Sequence, residues 1–319
     1  MDVFGKKKHK GIKRIIVIQC LLLAVVGGYI FMNPVAFLKS NTIRPANLQE
    51  MIMLNNQQGV DIAPLVAKIP YKGGHIYTVE PQQRFNEMMR NGSGNCSNKS
   101  YGLAYYLGQR QINYNIVHLL IPDKFLDGKG HVVVNTTYYL SGKLYDGIVD
   151  MTEGGLPSYD RKFVDINDML NGHIDQTDFQ IAALNQKVNN RSKYYGDFLT
   201  EAVIGITPAS EVNAHFALIQ AIYFPLGSKK IEKFLYDGMA LIAGVHPSIY
   251  VLPNEFKRLY AHSGLRRWLN IFALWAIRIL FITLAISLSL YFIRALKPFR
   301  KSENQYAGID FTKPASSKI

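Results

Sequence analysis

The sequence predicts an α+β domain held outside the membrane between two transmembrane helices. Three observations predict it. Each end of the chain carries a long apolar run with a basic flank. The stretch between them is long enough for one ordinary domain plus a smaller extension. That stretch mixes helical periodicity with runs rich in β-branched and aromatic residues, two of them joined by the hairpin turn Ser141-Gly142.

Residues 1–14 form a basic tail containing Lys6, Lys7, Lys8, Lys10, Lys13 and Arg14. The run 15–37 follows, from Ile15 to Phe37, apolar apart from Gln19 and Asn33. A bilayer core needs roughly 20 apolar residues, so this run is long enough to span. A secretory signal peptide also begins basic and turns apolar, but its apolar core is only about 7–15 residues long. Asn33-Pro34-Val35-Ala36-Phe37 offers no small-x-small cleavage site, which favours an uncleaved anchor.

The second span is 268–293, Trp268 to Ile293, and Arg294, Lys297, Arg300 and Lys301 open the tail 294–319. Positive flanks mark the cytoplasmic side. Both termini are therefore expected inside a bacterial inner membrane, with everything between them in the periplasm. Arg266 and Arg267 on the outer flank argue the other way and are outnumbered. Arg278 lies within the second run and has two readings. It either snorkels to the outer surface or pairs with a helix of a membrane protein partner.

The formal charge of +13 largely reflects these flanks. The first 14 residues carry about +5 and the last 26 about +4, leaving a mixed-sign middle with no nucleic-acid surface.

Within the middle, 38–180 reads as the α+β domain and 181–267 as a helical extension. Asn41 to Gln58 looks like a polar linker with some helical pattern. A turn at Tyr71-Lys72-Gly73-Gly74 precedes a short strand, Ile76 to Val79. A brief helix, Phe85 to Arg90, leads into the loop Asn91-Gly92-Ser93-Gly94-Asn95. Beyond it Ser100, Leu103, Ala104 and Leu107 recur at helical spacing, the mark of one buried face. Tyr114 to Ile121 and His131 to Leu140 read as strands, and the chain returns from Lys143 to Thr152. Phe198 to Ser263 reads as helical, punctuated by Pro225, Gly227, Pro247 and Pro253. It either packs on the core and leads into the second span, the favoured reading, or forms a docking surface for a membrane partner.

Only two cysteines occur, and Cys20 lies in the first apolar run. Cys96 thus has no disulfide partner in its own domain and becomes a candidate nucleophile. It falls at the start of a helix, where unpaired amides and the helix dipole favour a thiolate. Those amides also suit an oxyanion. If Ser141 and Gly142 form the turn, Leu140 faces Lys143, His131 faces Thr152, and Asp150 is a diagonal neighbour of His131 on one face. Asp146 would face Thr137, roughly 20 Å from His131. Glu153 points to the other face. Singly, a lone cysteine is usually a small buried hydrophobe, His131 a strand-end histidine and Asp150 a turn residue. Their joint placement makes the case for a triad.

His118, His173, His215 and His246 lack metal-ligand spacing, and one soluble thiol makes no zinc site. No P-loop or dinucleotide motif occurs, so no cofactor is expected. Asn95-Cys96-Ser97 and Asn98-Lys99-Ser100 both match the glycosylation motif; sugars there would crowd the thiol, which favours a bacterial envelope protein.

These residues resemble the transglutaminase-like superfamily of cysteine hydrolases and acyltransferases. The resemblance lies in Gly94-Asn95-Cys96-Ser97-Asn98-Lys99-Ser100 with Leu103 and Leu107, in His131-Val132-Val133-Val134, and in Val149-Asp150-Met151-Thr152. It covers about Val79 to Thr152, under a third of the chain. Met151 stands where the family's V-D-P-T signature has proline, and Val133 where an aromatic is common. The domain has no tryptophan to serve an oxyanion. The resemblance implies a papain-like core in which Cys96 attacks an amide or acyl carbon, His131 moves the proton and Asp150 orients the imidazole. It implies a peptide, amide or acylated substrate in the cell envelope. The alternative is the same fold kept as a non-catalytic binding or scaffold module of a polysaccharide assembly. An acetyltransferase with the same triad order would need a cofactor site that the sequence does not contain.

Overall fold

The computed structural model describes residues 3–52, 56, 58–69, 74–92, 94–122, 124–159, 161–172, 180–184 and 201–306. Tyr71, Lys72 and Gly73 of the expected turn, His173, residues 185–200 of the expected extension and the last 13 residues lie outside them. The chain divides into two compact units, one made of Met1–Met32 with Phe272–Ile319, the other of Asn33–Ile271.

The first unit holds helix α1, Val3–Met32. It also holds most of the 43-residue helix Gly264–Tyr306, which starts in the other unit. Gly11–Met32 and Gly264–Arg294 are each long and apolar enough to cross a membrane. The first apolar run does not stay one helix to Phe37. Asn33 leaves helical geometry (φ −133°, ψ 49°) and Pro34 opens a new helix, α2, Pro34–Thr42. A proline lacks the amide to continue a helix and its ring clashes with the preceding turn. Ala36 and Phe37 are consequently buried in the second unit.

The second unit is mixed α+β. After α2 come β1 (Ile43–Pro45), α3 (Gln49–Ile52), β2 (Val60–Asp61), α4 (Ile62–Lys68), α5 (Pro81–Asn91) and α6 (Cys96–Gly108). Then follow β3 (Tyr114–Leu120), β4 (Gly130–Leu140), β5 (Lys143–Val149), β6 (Gly155–Tyr159), β7 (Lys162–Phe163), α7 (Ile166–Asn171) and β8 (Gln180–Ala183). Last come β9 (Val203–Pro208), helices Ala209–Ile222 and Lys229–Ala243, β10 (Ile249–Val251) and helix Pro253–Leu259. The main sheet has the order β1-β10-β9-β3-β4-β2, with β5 paired to β4, and β7-β6-β8 form a small second sheet.

All seven residues of β3 are buried, as expected of a strand covered on both faces. Ile116, Val134, Tyr138 and Val149 pack with Leu103, Leu107 and Met88 of the helices. Val117, Leu119, Val133, Ile148 and Ile206 fill a separate cluster. The period of two along β3, β4 and β5 produces this division. The hairpin register is Leu140↔Lys143 through Thr137↔Asp146 to Val134↔Val149. Ser141 and Gly142 both adopt positive φ, 50° and 77°, which suits a tight turn between twisted strands.

Two expectations differ from the structure. Ile76 to Val79 forms no strand and pairs with none among the described residues. The segment read as a helical extension contributes β9 and β10 to the main sheet, β9 lying between β10 and β3. Gly205 and Pro208 mask the strand signal of Val203–Pro208, and its partner β3 is some eighty residues earlier.

At Gly205 a Cβ would lie 2.5 Å from Ile249 Cγ2 and 3.2 Å from Val251 Cγ1. Gly205→Ala should therefore destabilise the second unit by about 1–3 kcal/mol through overpacking, read as a lower denaturant midpoint of the detergent-solubilised chain.

Candidate active site

The start of α6 is built by its own side chains. Helix α5 ends at Gly92 in the left-handed region, φ 59°. Gly94 follows at φ 126°, and a Cβ there would lie 3.0 Å from Asn98 Cβ, so the loop requires glycine. Asn95 caps the helix: its Oδ1 accepts the Asn98 amide at 2.9 Å, and Asn98 Oδ1 accepts the Asn95 amide at 3.4 Å. Asn98 also clasps Ile76, accepting its amide at 3.2 Å and donating to its carbonyl at 3.0 Å. These two bonds hold the Ile76 backbone against the first turn of α6.

Cys96 is the first residue of α6, as its position after the glycine loop predicts. The amides of Cys96 and Ser97 have no acceptor among the described residues, as expected in a first helical turn. Ser100 Oγ donates to the Val132 carbonyl at 2.8 Å and ties the helix to the strand that carries His131.

His131 and Asp150 are both fully buried and meet at 2.8 Å, Nε2 to Oδ2. The other oxygen of Asp150 accepts the amides of Thr152 at 2.8 Å and Glu153 at 3.0 Å. Strand β5 ends at Val149, and Asp150 pairs with Gly155 across a turn rather than continuing opposite β4. His131 thus meets Asp150 without the extended pairing to Thr152 that a longer hairpin would give. Asp146 bonds Thr137 instead.

With Nε2 on Asp150, the imidazole acts on Cys96 as a neighbour lining the same cavity, and thiol and imidazole each shift the other's titration. Burial pushes the Cys96 thiol up, but the neighbouring His131 with its positive charge, and the Val132 backbone, bring it below its ordinary range. Burial pushes His131 down, yet the charge and hydrogen bond of Asp150, then Cys96, raise it well above an ordinary histidine. Both shifts favour a thiolate–imidazolium pair. The structure brings Cys96, His131 and Asp150 together.

Sequence reasoning passed over several neighbours. Lys99, one turn beyond Cys96, is buried near the charges of Asp150, Glu153 and Cys96. Lys39 of α2 lines the same cavity and is pushed down to about 8 by burial, opposed by the Cys96 charge. His118 bonds Thr207 at 3.1 Å, and burial holds it neutral near 3. Among the described residues no His, Cys, Asp and Glu cluster could hold a metal ion. The cavity measures about 320 Å³ and is lined by Cys96 and His131, by Lys39, and by Arg84, Tyr101 and Asp237. No local motif flags these lining residues, because they come from separate elements.

In a Cys20→Ser background, alkylation of Cys96 should titrate below the roughly 8.5 of a free thiol. With His131→Ala the lowering by the imidazole is lost and burial, joined by the Asp150 charge, outweighs the Val132 backbone, so the midpoint should move to or above that value. Asp150→Asn should give an intermediate profile, since it withdraws support for the imidazolium. Comparison of the chain with protein-family models, with curated proteins and with solved structures finds no match.

Proposed function

We propose that this chain is a membrane-anchored cysteine hydrolase or acyltransferase with a transglutaminase-like fold, acting on an amide or acyl bond in the bacterial envelope. The observation that carries it is the buried His131–Asp150 pair beside Cys96, with Cys96 and His131 both lining a cavity. The order and element types agree with the resemblance: a cysteine opening a helix, a histidine at the start of a strand, an aspartate at the end of the next strand.

The chemistry follows from those contacts. Cys96 Sγ attacks the carbonyl carbon while His131 Nδ1 holds the thiol proton. The tetrahedral oxyanion lies against the helix start, where the Cys96 and Ser97 amides can donate. The C–N or C–O bond breaks, and the leaving amine or alcohol takes the proton from His131. Water or an amine then attacks the thioester carbonyl and gives its proton to His131, the C–S bond breaks, and Cys96 returns as its thiolate. Asp150 holds the imidazole in the tautomer that presents Nδ1 to sulfur throughout.

The anchoring part rests on Gly11–Met32 and Gly264–Arg294, whose Leu21, Val25, Phe31, Phe272, Trp275 and Ile279 the protein leaves exposed. Their basic outer ends support a reading with both termini in the cytoplasm and the second unit in the periplasm.

An activated small ester such as p-nitrophenyl acetate should give a burst of one equivalent per chain and leave an acetyl group on Cys96 by mass spectrometry. Cys96→Ala should abolish the burst, and Asp150→Asn should slow it by on the order of 10⁴-fold. No burst from a folded protein would leave the non-catalytic binding module as the reading. In whole cells, an impermeant maleimide should label Lys143→Cys in the exposed hairpin and spare Lys6→Cys; the reverse pattern would refute the orientation.

A further inference from the structure

The wall of the cavity beyond the thiol carries polar groups that the proposed mechanism does not use. Arg84 of α5 lines it and is only 9 % exposed. Its Nε–H donates to the Thr78 carbonyl at 2.9 Å. Its two terminal nitrogens have no hydrogen-bond or ion-pair partner among the described residues. The neighbouring carboxylates are both engaged elsewhere. Asp237 pairs with Lys233 at 2.6 Å. Glu80 accepts the amides of Gln82 and Gln83 at 3.1 and 2.7 Å. A buried guanidinium whose fork of donors faces a cavity is unusual without an anion to receive it.

Tyr101 stands beside it. The two side chains influence one another electrostatically, and Tyr101 also lines the cavity. Its hydroxyl has no partner among the described residues, while its ring is fixed edge-on against Phe216 at 6.3 Å. Tyr101 lies five residues along α6 from Cys96, about 7.5 Å of helix rise. His215 and His246 complete the wall, their rings 5.3 Å apart. Burial keeps His215 neutral near 3 and lowers His246 as well, so neither adds charge. With Asp237 balanced by Lys233, the charge this wall leaves for an anion is that of Arg84, whose planar fork of donors matches a carboxylate; Lys39 lines the cavity as a separate cation near the thiol.

We propose that Arg84 and Tyr101 form an anion subsite, and that the amide or acyl substrate of Cys96 carries a carboxylate a few bonds from its reacting carbonyl. This assignment of substrate class rests on the thiol chemistry proposed above. Arg84 receives the carboxylate in a two-point contact, Tyr101 donates a third hydrogen bond, and the carbonyl is thereby set against Cys96.

The test is protection of Cys96 from the neutral reagent iodoacetamide, in the full-length Cys20→Ser chain in detergent at constant ionic strength. The probes are glutaramate, which has one amide and one carboxylate, the neutral diamide glutaramide, and inorganic phosphate. Glutaramate should slow alkylation saturably, and glutaramide and phosphate should not. Arg84→Gln should raise the half-protecting glutaramate concentration at least tenfold, and Tyr101→Phe, which removes only a hydroxyl, several-fold. Tyr101→Phe keeps the question open to an answer if Arg84→Gln does not fold. Equal protection by glutaramide, unchanged protection in both variants, or no protection would overturn the subsite. Equal protection by phosphate would overturn its assignment to a carboxylate. The two proposals fail separately. An ordinary thiol titration with Arg84-dependent protection would remove the catalytic reading alone, and a depressed thiol without such protection would remove the subsite alone.

Discussion

The arrangement around the thiol depends on one buried carboxylate. Asp150 is fully excluded from solvent, and an ionised carboxylate left alone there would cost several kcal/mol. Three hydrogen bonds offset that cost, two from the backbone amides of Thr152 and Glu153 and one from His131. The amides come from the turn that ends β5, so the chain reversal itself builds the anion's socket. The imidazole is then held as the charged partner, and the charge passes on to favour the Cys96 thiolate. Removing one member leaves another buried charge unmatched, which couples the three residues energetically.

The thiol's side of the contact is fixed by an equally local device. Asn95 and Asn98 cap α6 reciprocally, and Asn98 spends its remaining hydrogen-bonding capacity on Ile76. One asparagine thus sets the first turn of the helix and the path of the segment beside it. Ser100 then ties the helix to β4 next to His131. Two short hydrogen-bonded links, rather than general packing alone, set the thiol against the imidazole.

The main sheet supports this by burying β3 and β4 deeply. Strand β9 covers the open side of β3 and brings the helices Ala209–Ile222 and Lys229–Ala243 with it. Those helices supply His215, Lys233 and Asp237 to the cavity, while α2 supplies Lys39. The cavity's charge is therefore assembled from parts of the chain far apart in sequence, with histidines held neutral by burial and one guanidinium left without a carboxylate partner among the described residues.

How much of this was legible in the sequence depends on the range of the interaction. The helix starting at Cys96, the strand at His131, the Ser141-Gly142 turn and the register that separates Asp150 from Asp146 all follow from local periodicity and turn chemistry. Such signals act over a few residues, so one sequence suffices to read them. The two apolar helices are legible for the same reason, although the break at Asn33-Pro34 sets the first end five residues before the apolar run stops. Only the tertiary structure decided that β9 and β10 join the sheet, that β5 stops at Val149, and that Arg84 and Tyr101 share a cavity with the thiol. The sheet pairings and the shared cavity depend on partners far apart in sequence, and the stop of β5 depends on the burial of Asp150 against His131. Long-range pairing is chosen by the burial of whole faces and by the satisfaction of buried polar groups, and no local pattern encodes either.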